Sequence, residues 1–265
     1  MERTKRFGTS VLRRRAACIP GLLLVMLVTM GEPSFAGATK IGFHIGPSVP
    51  NLQGGTNEVS QGYTSRYALY FGFFADRDVR PHVSLRGELN YSSQGGKRNG
   101  MQPVTPDPSL PVPPDMKLYA AFDNQAIIDY LEIPLLAELS WGRTMRFFVN
   151  AGPYIGFLVR AKTVTRGSSA LYVDAAGTPL LVPPDYEPLP PVDFGADTDI
   201  KQDINSTNAG IAGGVGLGTP FGPGDIIIDA RFAYGLRNIQ RDTELNGKNN
   251  TGTLAFTVGY ALAWK

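Results

Sequence analysis

The stretch DYLEIPLLAELSW, residues 129–141, decides the fold, because it is a two-sided strand written in one line. Leu131, Ile133, Leu135, Ala137, Leu139 and Trp141 share one face of a period-two strand, and Tyr130, Glu132, Pro134, Leu136, Glu138 and Ser140 share the other. One face is apolar and the other carries carboxylates. A soluble sandwich turns the apolar face inward, whereas a membrane barrel turns it toward lipid. Pro134 adds a local expectation. A proline forfeits a ladder hydrogen bond, so a bulge or a missing bond is predicted there.

The same alternation recurs at about residues 40–49, 65–74, 83–92, 145–163, 207–219 and 225–239, and from about 251 to the end. The last shows Leu254, Phe256, Val258, Tyr260, Leu262 and Trp264 against Thr253, Ala255, Thr257, Gly259, Ala261 and Ala263. The connectors alternate in length. Those at about 50–64, 93–123, 164–206 and 240–250 are long. Those between them are short: ADRDVRPH at 75–82, GRT at 142–144 and FGPG at 221–224. Long loops at one end and short turns at the other are the signature of outer-membrane barrels. The expected architecture is all-β, an eight-stranded antiparallel up-and-down transmembrane β-barrel.

The strand ends orient the faces. Tyr67, Tyr91 and Tyr234 fall on apolar faces near the long loops, and Phe73, Trp141, Phe147 and Trp264 near the short turns. Two aromatic girdles result if those faces look at lipid. The inward set then contains Arg86, Glu88, Glu132, Glu138, Arg160, Asp229 and Arg231, with Tyr70, Tyr130 and Tyr154 facing glycines. Enclosed charges of opposite sign are expected to pair, and a barrel of eight strands has an interior that side chains fill. The reading is a lumen plugged by salt bridges.

Residues 1–36 are expected to be a cleaved signal peptide: Arg3, Lys5, Arg6 and Arg13 to Arg15 precede an apolar run at about 19–30, and Ser34-Phe35-Ala36 offers small residues for cleavage. Cys18 precedes that run, a position unsuited to lipidation. The leader holds six of the 25 basic and two of the 23 acidic residues, so 19 basic against 21 acidic remain in 37–265. The basic balance of the whole chain therefore belongs to the leader, and no nucleic-acid partner is expected. With Cys18 in the leader, no disulfide framework is expected in the barrel domain.

Loops two and three both contain VPPD, at 112–115 and 182–185, within proline-rich segments expected to be extended and solvated. If they bind anything, Tyr172, Tyr186 and Phe194 are the expected contacts. Asp193, Asp197, Asp199 and Asp203 suggest a calcium cluster, but no glycine stands where a calcium loop turns, so neither metal nor cofactor is expected. His82 falls in a short turn, and His44 faces the lumen, where pairing with a carboxylate in a structural role is expected rather than catalysis.

The segments YLEIPLLAEL (130–139), GPYIGFLV (152–159), AGIAGGVGLG (209–218) and DARFAYGLRNI (229–239) together resemble the outer-membrane β-barrel proteins of the PorT-like or porin-family type, small barrels of Gram-negative envelopes. The terminal Lys265 departs from the aromatic residue with which such chains usually end. The resemblance implies an outer-membrane location, lipid as the surrounding partner and assembly by the barrel-insertion machinery. It implies no reaction. The expected role is structural or surface-interacting, with an extracellular ligand or envelope partner at the loops. A narrow solute channel, a lipid-modifying enzyme and a soluble lipocalin-like carrier are the alternatives.

Overall fold

The computed structural model describes residues 39–264 apart from 107, 109, 111, 114 and 115. The leader lies outside the described residues, as do Pro114 and Asp115 of the first VPPD. Eight long strands follow one another: β1 Thr39–Gly54, β2 Ala68–Arg80, β3 Val83–Val104, β4 Leu118–Trp141, β5 Arg146–Arg166, β6 Thr207–Phe221, β7 Gly224–Gly235 and β8 Asn249–Trp264. Each pairs antiparallel with its chain neighbours, and β8 pairs with β1 to close the ring. Following the register from Thr39 through Arg77, Leu85, Ala137, Ala151, Gly213, Phe232 and Leu254 returns to β1 at Val49, ten residues further on. With a rise of about 3.3 Å per residue and about 4.8 Å between strands, that stagger sets a strand tilt of about 40°.

The apolar faces point outward. Leu131, Ile133, Leu135, Leu139 and Trp141 of β4 are exposed while Glu132, Leu136 and Glu138 are buried, and all seven other strands follow the same rule. The outward apolar run of β4 from Leu131 to Trp141, tilted by about 40°, spans about 25 Å, the height of an outer-membrane apolar band. Tyr67, Phe73, Trp141, Phe147 and Trp264 are exposed at its rims, and Tyr91 and Tyr234 are half-buried there. Tyr67 lies just before β2, and Tyr91 stacks on Phe71 with ring centroids 5.1 Å apart.

At Pro134 the β3–β4 ladder passes from Asn90↔Glu132 to Gly87↔Leu135, skipping Ile133 and Pro134 without a shift of register. The pairing is missing and there is no bulge. Pro153 interrupts the β4–β5 ladder in the same way, between Pro134↔Tyr154 and Ala137↔Ala151. A true bulge lies higher, where Asp129 pairs with Arg160 and Tyr130 with Leu158, leaving Val159 as the extra residue.

Several boundaries differ from the sequence expectation, among them the end of β1, which runs to Gly54. Ala75 to Arg80 belong to β2, so ADRDVRPH is mostly strand and the turn is only Pro81 and His82. Strand β7 ends at Gly235 rather than Ile239. Strands β3 and β4 run to 22 and 24 residues, which shortens the expected loop at 93–123 to residues 105–117. The polar stretch around Lys97 to Gly100 gave no alternation to read, yet it pairs continuously with Phe122 to Gln125.

The extended β3–β4 hairpin stands beyond the apolar band and forms a head with loop three. Its core is Leu118, Ala120, Leu171 and Leu180, against which Val104, Phe122, Val173, Val182 and Phe194 pack. Loop three carries paired segments, although most of its proline-rich stretch at 179–194 stays exposed. Ser168–Ser169 pairs with Val192–Asp193, Leu181–Val182 with Glu187–Pro188, and Ala196–Asp199 extends the barrel sheet beside β5.

Candidate functional site: lumen and loop head

The inward side chains form alternating layers. At the short-turn mouth, Lys40 Nζ lies 2.5 Å from Asp225 Oδ2. Above it Phe74, Phe148, Ile227 and Ala261 make an apolar layer. Arg86 follows, 1% exposed, with its guanidinium 4.8 Å from the Phe74 ring centroid and 5.1 Å from that of Phe148. Its Nη2 donates to Asp76 Oδ2 at 3.1 Å and stands 2.8 Å from Glu138 Oε2, an ion pair outside hydrogen-bond geometry.

The second arginine binds two carboxylates as well. Arg231 donates to Glu88, and its Nη2 to Asp229 Oδ2 at 3.0 Å. Asp229 also accepts from the Thr257 hydroxyl at 2.9 Å. The Asn90 amide donates to Glu88 Oε2 at 2.8 Å and to the Tyr70 hydroxyl at 2.6 Å, while its oxygen sits 2.9 Å from His44 Nε2. His44 is buried, with Tyr70 and Phe74 stacked at 5.6 and 5.8 Å. Its partner is this amide rather than a carboxylate.

Higher up, Leu136, Tyr154, Ala212 and Ala233 form another apolar layer, and Gln94 donates to the buried Glu132. The long-loop mouth is covered by a third. Tyr130, Ile128, Leu52, Ala126 and Ala161 meet Ile204 and Ile239, two residues from the loops, each 1% exposed. The glycine face of β6 makes room for the large inward residues: a Cβ on Gly210 would come within 2.7 Å of the Tyr154 ring.

Of the seven charged residues assigned to the lumen by alternation, Arg86, Glu88, Glu132, Glu138, Asp229 and Arg231 are inside. Arg160 is not. The bulge at Val159 reverses the phase of β5, so Arg160 is half exposed on the outer wall, where its Nε and Nη2 each lie 2.7 Å from Asp129 Oδ2. Asp76 was missed, because it sat in a segment read as a turn. Asn90, uncharged, gives no signal beyond its inward parity, and Gln94 lies in the segment expected to be loop.

In the head, Tyr172 exchanges backbone hydrogen bonds with Tyr119, and Phe194 stacks on Phe122 at 4.6 Å and 8°. Both are used structurally. Tyr186 is exposed, at the tip of the hairpin that carries the second VPPD. The four loop aspartates do not converge: Asp193 accepts from Gly195 N, Asp199 from Lys201 N, and Asp197 from Lys162 Nζ and Arg166 Nη2. No metal-binding cluster exists among the described residues. His82 Nδ1 is 2.9 Å from the Ser140 carbonyl and serves the turn.

The hydrogen bonds from Lys162 and Arg166 hold the Asp197 carboxyl below the usual carboxylate range. Such a group contributes its stabilisation above its ordinary pKa and loses it as pH falls through the lowered one. Amide exchange in residues 196–199 is therefore expected to stay slow through mildly acidic pH and to quicken only below the ordinary carboxylate range. Asp197→Asn should make it fast at neutral pH. Unchanged exchange in that variant would show that the ion pairs do not hold this segment.

A closed ring of strands with an apolar belt outside and charge inside is the architecture of outer-membrane barrels, and residues 33–241 match the family model described as outer membrane protein beta-barrel domain. The chain belongs to this family. It is an integral outer-membrane β-barrel protein, embedded in lipid through its apolar belt. Solved structures that it is similar to include Neisserial surface protein A, at 11% identity with 85% of this chain and 97% of that one covered and a TM-score of 0.38. Another is Ail, the attachment invasion locus protein of Yersinia pestis, at 13% identity, 84% and 98% coverage and a TM-score of 0.37. A third is the N-terminal β-barrel domain of Pseudomonas aeruginosa OprF, at 12%, 85% and 99%, with a TM-score of 0.32. None of the curated proteins matches the chain.

Proposed function

We propose that this outer-membrane barrel has a structural or surface-interaction role and no enzymatic one, with a lumen that side chains keep closed and with binding, where it occurs, at the head. The observation that carries the reading is the enclosure of Arg86 and Arg231, each ion-paired with two carboxylates between apolar layers. Opening a path would strip both guanidinium groups of partners in a narrow interior, at a cost of several kcal/mol for each buried pair broken. The head supports the second half of the reading. A separate small core beyond the apolar band adds nothing to membrane spanning, and it holds Tyr186 out in solvent.

The test is site-specific photo-crosslinking in living cells. A benzophenone side chain at Tyr186 is expected to capture a polypeptide or a glycan, whereas one at the lipid-facing Ile45 captures neither. No adduct from Tyr186, together with entry of small solutes into liposomes that carry the protein, would overturn the reading in favour of a narrow channel.

A further inference from the structure

We infer that the upper lumen binds one monovalent metal cation, held by the Glu132 carboxylate together with the side-chain oxygens of Gln94 and Tyr130. The inference rests on the closed lumen proposed above and gives it an occupant. Charge is the first observation. In the lower lumen Arg86 faces Asp76 and Glu138, and Arg146, inward beside Gly218, evens the count. In the upper lumen Arg231 alone faces Glu88 and Asp229, and Glu132, 2% exposed, adds a third carboxylate that forms no ion pair among the described residues. The guanidinium groups nearest to it are engaged elsewhere. Arg237 is exposed and donates to the Thr207 hydroxyl at 2.8 Å, and Arg66 donates to Ser93 Oγ and the Gln94 carbonyl on the outward side of β3. Three carboxylates thus stand against one cation. A charged His44, whose Nε2 lies on the Asn90 oxygen, would still leave one negative charge uncompensated in a dry interior, where such a charge is costly.

Unpartnered oxygen is the second observation, independent of the first. The Gln94 amide nitrogen donates to Glu132 and, at 3.3 Å, to Ser92 Oγ; this fixes the amide and leaves its Oε1 without a hydrogen-bond partner. The Tyr130 hydroxyl has none either. Tyr130 and Glu132 stand side by side, with Tyr130 Cδ1 and Glu132 Cγ each 3.4 Å from where a Cβ on Gly156 would be. The stagger of the strands brings Ser48 of β1 and Thr253 of β8 to the level of Glu132, and their hydroxyls are unpartnered too. All four of these residues are buried. A carboxylate with amide and hydroxyl oxygens is the donor set of a hard cation, and a single carboxylate among neutral oxygens suits a monovalent ion, since divalent ions take sites of higher charge. Water would serve the oxygens but leave the charge, and a proton on Glu132 would remove the charge but serve only one oxygen. The layer of Ile204 and Ile239 closes the site toward the loops, so the ion enters during folding and leaves slowly.

The experiment refolds the full barrel into detergent micelles with radioactive sodium or, separately, rubidium ions, and then desalts it into choline chloride, whose cation is too large for this lumen. About one tracer ion per barrel is expected to stay bound from at least one of the two, with retention falling about tenfold or more in Glu132→Gln and less steeply in Tyr130→Phe, which removes only the oxygen. Heat-dependent gel mobility shows that each variant is folded, and Glu58→Gln, in the exposed loop one, should retain the ion as the wild type does. No retained tracer of either kind, equal retention in Glu132→Gln, or an infrared carboxylic-acid band that Glu132→Gln abolishes would overturn the inference, the last by showing a proton in place of the cation. Liposomes loaded with the same tracer separate this failure from that of the closed lumen: a closed barrel without an ion site keeps the tracer inside, whereas an open one lets it out.

Discussion

Replacing Arg231 with methionine is expected to lower the unfolding free energy by about 3–5 kcal/mol, the range for removing one side of a buried ion pair. The side chain is 2% exposed and holds both Glu88 and Asp229. Without it, Glu88 keeps the Asn90 amide and Asp229 the Thr257 hydroxyl, but neither carboxylate keeps a bound cation. A urea titration in micelles, read by the mobility of unheated samples, measures the loss. The compensated variant Arg231→Met, Glu88→Gln, Asp229→Asn removes the stranded charges and should recover most of it, since replacing every member of a buried ionic group is often close to neutral. A single variant as stable as the wild type would mean that the network does not hold the lumen together.

The second large effect is expected at Gly216. A Cβ there would lie 2.7 Å from the Ile228 carbonyl oxygen and closer still to the Phe148 ring, deep in the layer beneath Arg86. Alanine should cost about 1–3 kcal/mol through overpacking, and leucine should prevent assembly of the heat-modifiable barrel. Adding Phe148→Ala should rescue part of the alanine defect, because it removes the ring but leaves the carbonyl. A fully tolerated leucine would show that β6 carries its glycines for some reason other than making room for the inward aromatic residues.

The parts of this molecule that the sequence displays are those governed by a period of two. Within the apolar band outward positions meet lipid and inward ones meet the lumen, so the alternation alone assigns Leu131 to Trp141 to faces and marks Pro134 as the place of a bulge or a missing bond, of which the missing pairing is found. Beyond the band the alternation ends, because β3 is polar on both faces and β4 from Leu118 to Ile128 carries apolar residues on both. That is why β3 and β4 were cut short near Ser92 and Asp129, and why a head core that joins Leu118 to Leu171 and Leu180 across more than fifty residues left no local pattern. Parity also assumes an unbroken count. The one extra residue at Val159 moved Arg160 from the lumen to the outer wall, and nothing in its own neighbours announces the bulge. Asp76 was lost for a different reason, since a run of alternating charges at a membrane boundary reads equally well as a turn.

The central claim is that the lumen is closed, and single-channel recording across a planar bilayer tests it most directly. The wild-type barrel, inserted with its head intact, should give no current steps above the leak of the lipid. Steady conductance well above that leak, abolished by changing Arg86 or Glu132, would mean that ions pass through this lumen and would contradict the account.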